Sequence, residues 1–455
     1  MKFIRRQLWF LSSFFKKYKN LIFAGIFFSV VLSIIWQFTK KYLPTKKEQI
    51  RIGIIGQYQS GELPPPIIHF LDVGLTKILP NKKISANLAK DWQLSDSGKE
   101  YLFTLNDELF WSNDEPITAQ DLNLNIPSVE TEIIDDQSIR FILPAKFAPF
   151  PSVLTFPITS KEGILPSPFQ IKVKQKSSGV LTQITLTNQT SETRVDIFPS
   201  ATQAIVAYKL GQLDVVLNLP ETALTKNLSN YGILEKSTGT DQIVILLLNH
   251  KDPILQSKSV RQGISYALKD KSFNYQRALT TISPDSWAFY PLVKTYDYNQ
   301  SHAEKLIKEE LPENISILNL ELATTPELLP IAEKIVESLT AQYLNLKIKV
   351  VPSKPESFQL FLTSFDIPTD PDQYAFWHST QANNLSSVSS EKLDKLLEDG
   401  RTELDEKERK KIYNEFQRVF TEELPAITLF HLQYVNLVRN QKYLDIIKNN
   451  WPTKN

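Results

Sequence analysis

The chain has 455 residues, room for two or three domains each with its own core, and 42% of them are hydrophobic, as in an ordinary globular protein. A net charge of +1 leaves no nucleic-acid footprint. Cysteine is absent, which excludes disulfides, thiol nucleophiles, thiolate metal sites and a lipid-modified N-terminal cysteine.

The first element in the chain is apolar. Residues 21–38, LIFAGIFFSVVLSIIWQF, carry no charge. At about 1.5 Å per residue such a helix spans roughly 27 Å, enough for a hydrocarbon core. Trp36 suits the interface. Lys2, Arg5, Arg6, Lys16, Lys17 and Lys19 precede it, against Lys40, Lys41, Lys46 and Lys47 after it. That bias predicts a cytoplasmic N-terminal segment (1–20), a transmembrane helix (21–38) and a short basic linker (39–50), with the rest of the chain outside the cell membrane. A cleaved signal peptide is the alternative; its apolar core would be shorter, and no A-x-A-like site follows Ile34-Ile-Trp-Gln-Phe38.

The soluble region opens with a buried strand, Arg51–Gly56, and a helix-like run from Ile67 to Leu79 behind Pro64-Pro-Pro66. Trp92/Leu94 and Tyr101/Phe103/Leu105 alternate on either side of Asp96-Ser-Gly98, a hairpin signature. Thr118 can cap a helix start. Gln242–Asn249 is a continuous apolar strand, and Val260, Ile264 and Leu268 share a helical face beyond it. Ile315–Leu322, a helix presenting Ile331, Ile335 and Leu339, and Leu346–Val351 form a strand–helix–strand unit, expected to be parallel. The charged run Asp405–Lys411 reads as the solvated start of another helix, whose Phe416, Val419 and Phe420 point inward.

Between those units lies Leu362–Ser379, with Asp366, Asp370 and Asp372 inside seven residues. Pro368 and Pro371 deny it a long helix. Phe365, Tyr374, Phe376 and Trp377 flank it. A stiff acidic loop framed by rings suits a cation or an ammonium group, and it lies just past a strand end, where open α/β sheets bind ligands. An ordinary surface turn after a buried strand is the other reading of the same residues. His378 alone beside carboxylates is too few ligands for a metal, and no cofactor motif or nucleophile–base pair is visible, so no enzyme and no cofactor are expected.

Residues 88–122, LAKDWQLSDSGKEYLFTLNDELFWSNDEPITAQDL, resemble the "LAxxWxxSxDGxxYxFxL…FxDGxPxTAxDV" pattern of the extracellular solute-binding proteins of family 5, the peptide receptors of ABC importers. Ile133–Leu143 with Ala148-Pro-Phe150, Lys209–Val216, Asp252–Asp270 and Glu422–His431 match later motifs of that family in order, so the resemblance runs over roughly residues 80 to 435. It departs at Asn123–Thr131, too short for the long helix relatives carry there, and at Leu165–Phe169, which replaces a Gly-rich element. The resemblance implies an α/β, two-lobed, periplasmic-binding-protein-like fold (type II, cluster C) with mixed sheets and a hinge of two crossing segments. Lobe I would be residues 51–243 completed by 432–455, and lobe II residues 244–431. It implies a monomeric receptor that captures a peptide and passes it to ABC permease subunits. Asp366 would take the peptide ammonium; the spacing to Asp370-Pro-Asp372 is one residue long, so Asp370 is the fallback. Tyr374, Trp377 and Trp287 would line the ligand, although either tryptophan can equally be a packing residue. The alternative is a surface sensory or structural module, derived from such a receptor, that no longer transports.

Overall fold

The computed structural model describes residues 47–60, 63–160, 166, 169–188, 190–221, 228–311, 317–340 and 343–450, with 17–20, 28–29 and 32–33 ahead of them. Among these, no helix is long and apolar enough to cross a membrane. The anchor expected at 21–38 lies outside the described residues except for four positions, as does most of Leu165–Phe169. Residues 49–188 and 192–455 form one compact unit, and residues 1–48 with 189–191 another. The fold is that of the larger unit.

Sixteen strands are described in chain order. β1 (Glu48–Ile55) is followed by the short pair β2 (Thr76–Ile78) and β3 (Ile84–Ala86). β4 (Ala89–Leu94), β5 (Glu100–Leu105), β6 (Glu130–Ile133) and β7 (Ser138–Ile142) come next, then β8 (Gln170–Gln175), β9 (Leu181–Thr187), β10 (Ser191–Phe198) and β11 (Val215–Pro220). The long β12 (Ile233–Leu248) leads to β13 (Leu318–Thr324), β14 (Leu344–Val350), β15 (Leu360–Asp366) and the returning β16 (Ala426–Val438). Ten of them make one mixed sheet in the order β14-β13-β15-β12-β16-β11-β1-β10-β9-β8, while β4-β5-β7-β6 form a separate small sheet.

β12 and β16 hold the two lobes together. The first half of β12 pairs with the end of β16, from Ile233↔Val438 to Thr238↔Gln433. Its second half pairs with both β16 and β15. The register breaks between Thr238 and Ile243. Beyond the break, alternate residues serve opposite faces. Val244, Leu246 and Leu248 pack on Val260, Ile264 and Ile331. Ile243, Ile245 and Leu247 pack on Trp377, Phe416 and Phe420. Helices cover both faces, which is why this strand reads as an unbroken apolar run.

The strand–helix–strand unit is as the spacing predicts. β13 and β14 are parallel, Leu318 opposite Leu344, and Ile331, Ile335 and Leu339 of the helix Leu329–Leu339 are buried. The β4–β5 hairpin also forms, with Trp92 opposite Phe103. Two expectations in the first lobe fail. The run Ile67–Leu79 is not one helix: the helix is Pro65–Leu71, ended by Asp72 at φ 44°, and Thr76–Ile78 is a strand. The reason is the close pass at Gly74, where a Cβ would sit 2.7 Å from the Leu154 and Thr155 carbonyl oxygens. Thr118 heads only a three-residue turn, Ala119–Asp121, closed by Thr118 and Asp121 bonding each other.

Candidate ligand-binding cleft

β15 carries the acidic loop to the gap between the lobes. Asp366 is its last residue, opposite Gln242 of β12, whose amide donates to its carboxylate. The Ile367 amide donates to Asp241 O at 2.8 Å, and Pro368 then ends the pairing. Two side-chain turns stiffen the loop beyond: Asp370 accepts from the Asp372 amide at 3.0 Å, and Asp372 from the Tyr374 amide at 3.1 Å.

The three acids have different surroundings. Asp366 is exposed. Burial, and after it the Asp366 charge, push the Tyr58 and Tyr434 hydroxyls up. Those tyrosines stand after β1 and in β16, so Asp366 faces the place where the lobes meet. Asp370 is gripped by Arg409 through two parallel hydrogen bonds of 2.8 and 2.6 Å. Asp372 is held by Arg401, Nε at 3.0 Å and Nη2 at 2.9 Å. The Asp370–Arg409 pair is bidentate, a strong, orienting contact, whereas Arg401 brings both nitrogens to one oxygen of Asp372; both acids are committed to an arginine.

Arg409 corrects the reading of Asp405–Lys411 as a wholly solvated run. Asp405 does cap the helix Glu406–Glu423, accepting from the Lys407 and Glu408 amides. Arg409, however, is only 6% exposed; it donates to Gly400 O at 2.7 Å and lies over the Trp287 and Tyr413 rings. Its neutralising partner is 39 positions away in sequence, so the run alone could not reveal it.

The aromatic candidates separate. Trp377 is fully buried, its indole N–H on Gln373 and its ring against Phe365 and Phe420, so it belongs to the core and not to the cleft. Tyr374 is half-buried, stacked between His378 and Arg401. Trp287 is half-buried beside Arg409 and does line a cavity.

Two adjoining spaces open here. One, of about 690 Å³, lies between Ile68, Ile78, Phe147 and Phe156 of the first lobe and Pro368–Asp372 of the second. The other, of about 260 Å³, is walled by Trp92, Tyr101, Trp287 and Arg409. They share Pro149, Ser152 and Asp370. Burial pushes the Tyr101 hydroxyl up to about 12, so it stays a neutral donor, bonded to Phe147 O. Around the cleft the lobes touch: Lys83 reaches Glu406 at 2.6 Å, the Trp287 amide donates to Asn81 O, and the Ala148 amide donates to Arg401 O. Among the described residues no three His, Asp or Glu side chains converge as a metal site.

Two lobes joined by a pair of crossing strands, with a walled cleft between them, define the class: a two-lobed α/β solute receptor of the periplasmic-binding-protein kind. The family model for bacterial extracellular solute-binding proteins, family 5 (middle), matches residues 83–179 and 187–387. The chain belongs to that family, whose members bind solutes rather than convert them. It is 21% identical over 430 residues to the probable D,D-dipeptide-binding periplasmic protein DdpA of Escherichia coli, covering 80% of this chain and 82% of that one. Its fold is similar to NikZ of Campylobacter jejuni in complex with Ni(L-His), with a TM-score of 0.72, 19% identity and 87% and 94% of the two chains covered. It is also similar to the oligopeptide-binding protein AppA of Bacillus subtilis in complex with a nonapeptide, with a TM-score of 0.67, 19% identity and 87% and 95% covered.

Proposed function

We propose that this chain is the extracellular receptor of an ABC importer, closing its lobes on a peptide and delivering it to the permease as a monomer. The carrying observation is the acidic loop that follows β15: Asp370 and Asp372 line the cleft and are already neutralised, while Asp366, the last residue of β15, is exposed beside it. Of the three acids, that leaves Asp366 to take a peptide ammonium, while loop backbone groups bind peptide main chain. The lobes are residues 51–243 with 432–455, and 244–431; the register break in β12 supports hinges there, and the arrangement is of the cluster C type. Residues 21–38 tether the receptor, standing in for the absent lipidated cysteine and raising its concentration near the permease. The shortened connection after Asp121 also supports a second reading, a surface module that has lost transport.

The deciding experiment is titration of a di- to decapeptide library into the full-length chain in detergent. Saturable binding of peptides with free N-termini is expected. Silence across the library, with binding of sugars or metal chelates instead, would sink the peptide assignment.

A further inference from the structure

On its loop side, the 690 Å³ space is charge-compensated. Its lining carries Asp72, Asp370, Asp372 and Lys77. Arg409 and Arg401 stand behind the two acids of the loop and neutralise them. A charged ligand group entering here would shed water and meet no uncommitted counter-charge on the loop, which is unfavourable. The opposite wall presents four large apolar side chains, Ile68, Ile78, Phe147 and Phe156, beside Asp72 and Lys77. Phe156 is 60% exposed, a large ring left uncovered on a concave surface. Concave, mostly apolar walls with a few placed polar groups are what ligand pockets are made of. Asp366 is not on this lining.

We infer that this space is a specificity subsite for an uncharged apolar side chain of the ligand, with Phe156 as its main contact, and that ligand charge is handled outside it. This rests on the receptor reading above for the ligand being a peptide, but not for the subsite being apolar. It names the ligand class more narrowly: short peptides rich in leucine- or phenylalanine-like side chains, rather than basic or acidic ones.

The test uses the full-length chain in detergent and tripeptides differing only by Phe, Lys or Glu at each position in turn. At one position Phe is expected to bind about tenfold tighter than either charged residue. Phe156→Ser, at an exposed site, should erase that preference with the unfolding midpoint unchanged. A second probe, the uncharged dye N-phenyl-1-naphthylamine, reads the subsite without any peptide once its signal in detergent alone is subtracted. Its binding should weaken about tenfold in Phe156→Ser and compete with the apolar peptide. If Lys and Glu peptides bind as tightly as Phe peptides at every position, the subsite inference is overturned while the receptor reading stands. If no peptide binds but the dye does, and Phe156→Ser weakens it, the peptide reading falls and the apolar subsite stands. Dye binding indifferent to Phe156→Ser overturns the inference in either case.

Discussion

At the residue scale, the two ends of the acidic loop do different work. Asp366 is exposed and partnered by the neutral Gln242, so its charge is open to a ligand. Asp366→Asn should weaken peptides with a free N-terminus by about 1 kcal/mol, roughly fivefold, because an exposed pair is screened. N-acetylated versions should be unaffected. Calorimetric titration of both peptides against both proteins gives the four numbers; equal weakening of the two would mean Asp366 shapes the loop instead. A loss of about 2–5 kcal/mol would show that closure dries the pair. That three acids sit here was legible in the sequence. That two of them belong to Arg401 and Arg409 was not, since each partner lies 29 or more positions away. His250 offers a separate titration. Burial, then the Arg261 charge, lower it to about 4, while its Nε2 bonds the Leu424 carbonyl. The unfolded chain takes up a proton near the ordinary value of 6.5, so as pH falls from there to about 4 it binds more protons than the folded one. Stability is therefore full above about 6.5 and falls by about 3 kcal/mol toward pH 4. His250→Gln should flatten that decline in urea melts at pH 7.5 and 4.5; an unchanged slope would assign it to other groups.

At the element scale, the helix Glu406–Glu423 is tied to the acidic loop by a single buried pair. Arg409 and Asp370 are 8% and 13% exposed at their side chains. Removing one partner strands the other's charge, so Arg409→Met should cost about 3–5 kcal/mol of stability. Adding Asp370→Leu should recover much of it, since replacing both charges removes the stranded one. Urea melts of the two single variants and the double variant measure the coupling, and strictly additive losses would show that the pair does not fasten the loop. Regular elements were the legible part. Period-two alternation gave β5, and period 3.6 gave the buried face of the helix Leu329–Leu339, because in both a single core faces the element. Ile67–Leu79 misled because its apolar residues serve a helix and then a strand. The turn between them depends on Gly74 passing the backbone of Leu154–Thr155, a tertiary contact that local spacing does not carry. The apolar run Gln242–Asn249 marks only the second half of β12, which has sixteen residues. The first half of β12 is polar, and its pairing with β16 comes from the far end of the chain.

At the scale of the whole molecule, the two-lobed fold followed from motif resemblance, and the proposed lobes require the chain to cross between them twice. In that proposal β12 leaves the first lobe and β16 returns to it; the two strands are antiparallel neighbours. On the proposed hinge, ligand closure would need bending at these two adjacent strands, near the register break between Thr238 and Ile243. The tether proposal rests on residues 21–38, which are uncharged throughout. If they span the bilayer, the full-length chain should remain in the membrane fraction after an alkaline carbonate wash, and a chain beginning at Glu48 should not. Replacing Val30 and Val31 by arginine puts two charges at the bilayer centre, each costing about 2.5–3.5 kcal/mol on insertion scales. That variant should fail to anchor. Protease added outside spheroplasts should digest the body and spare a fragment holding residues 1–38, given the six basic residues before the apolar run. Mass spectrometry of the mature protein decides the matter: a first residue beyond Phe38 would make the segment a cleaved leader and end the tether proposal.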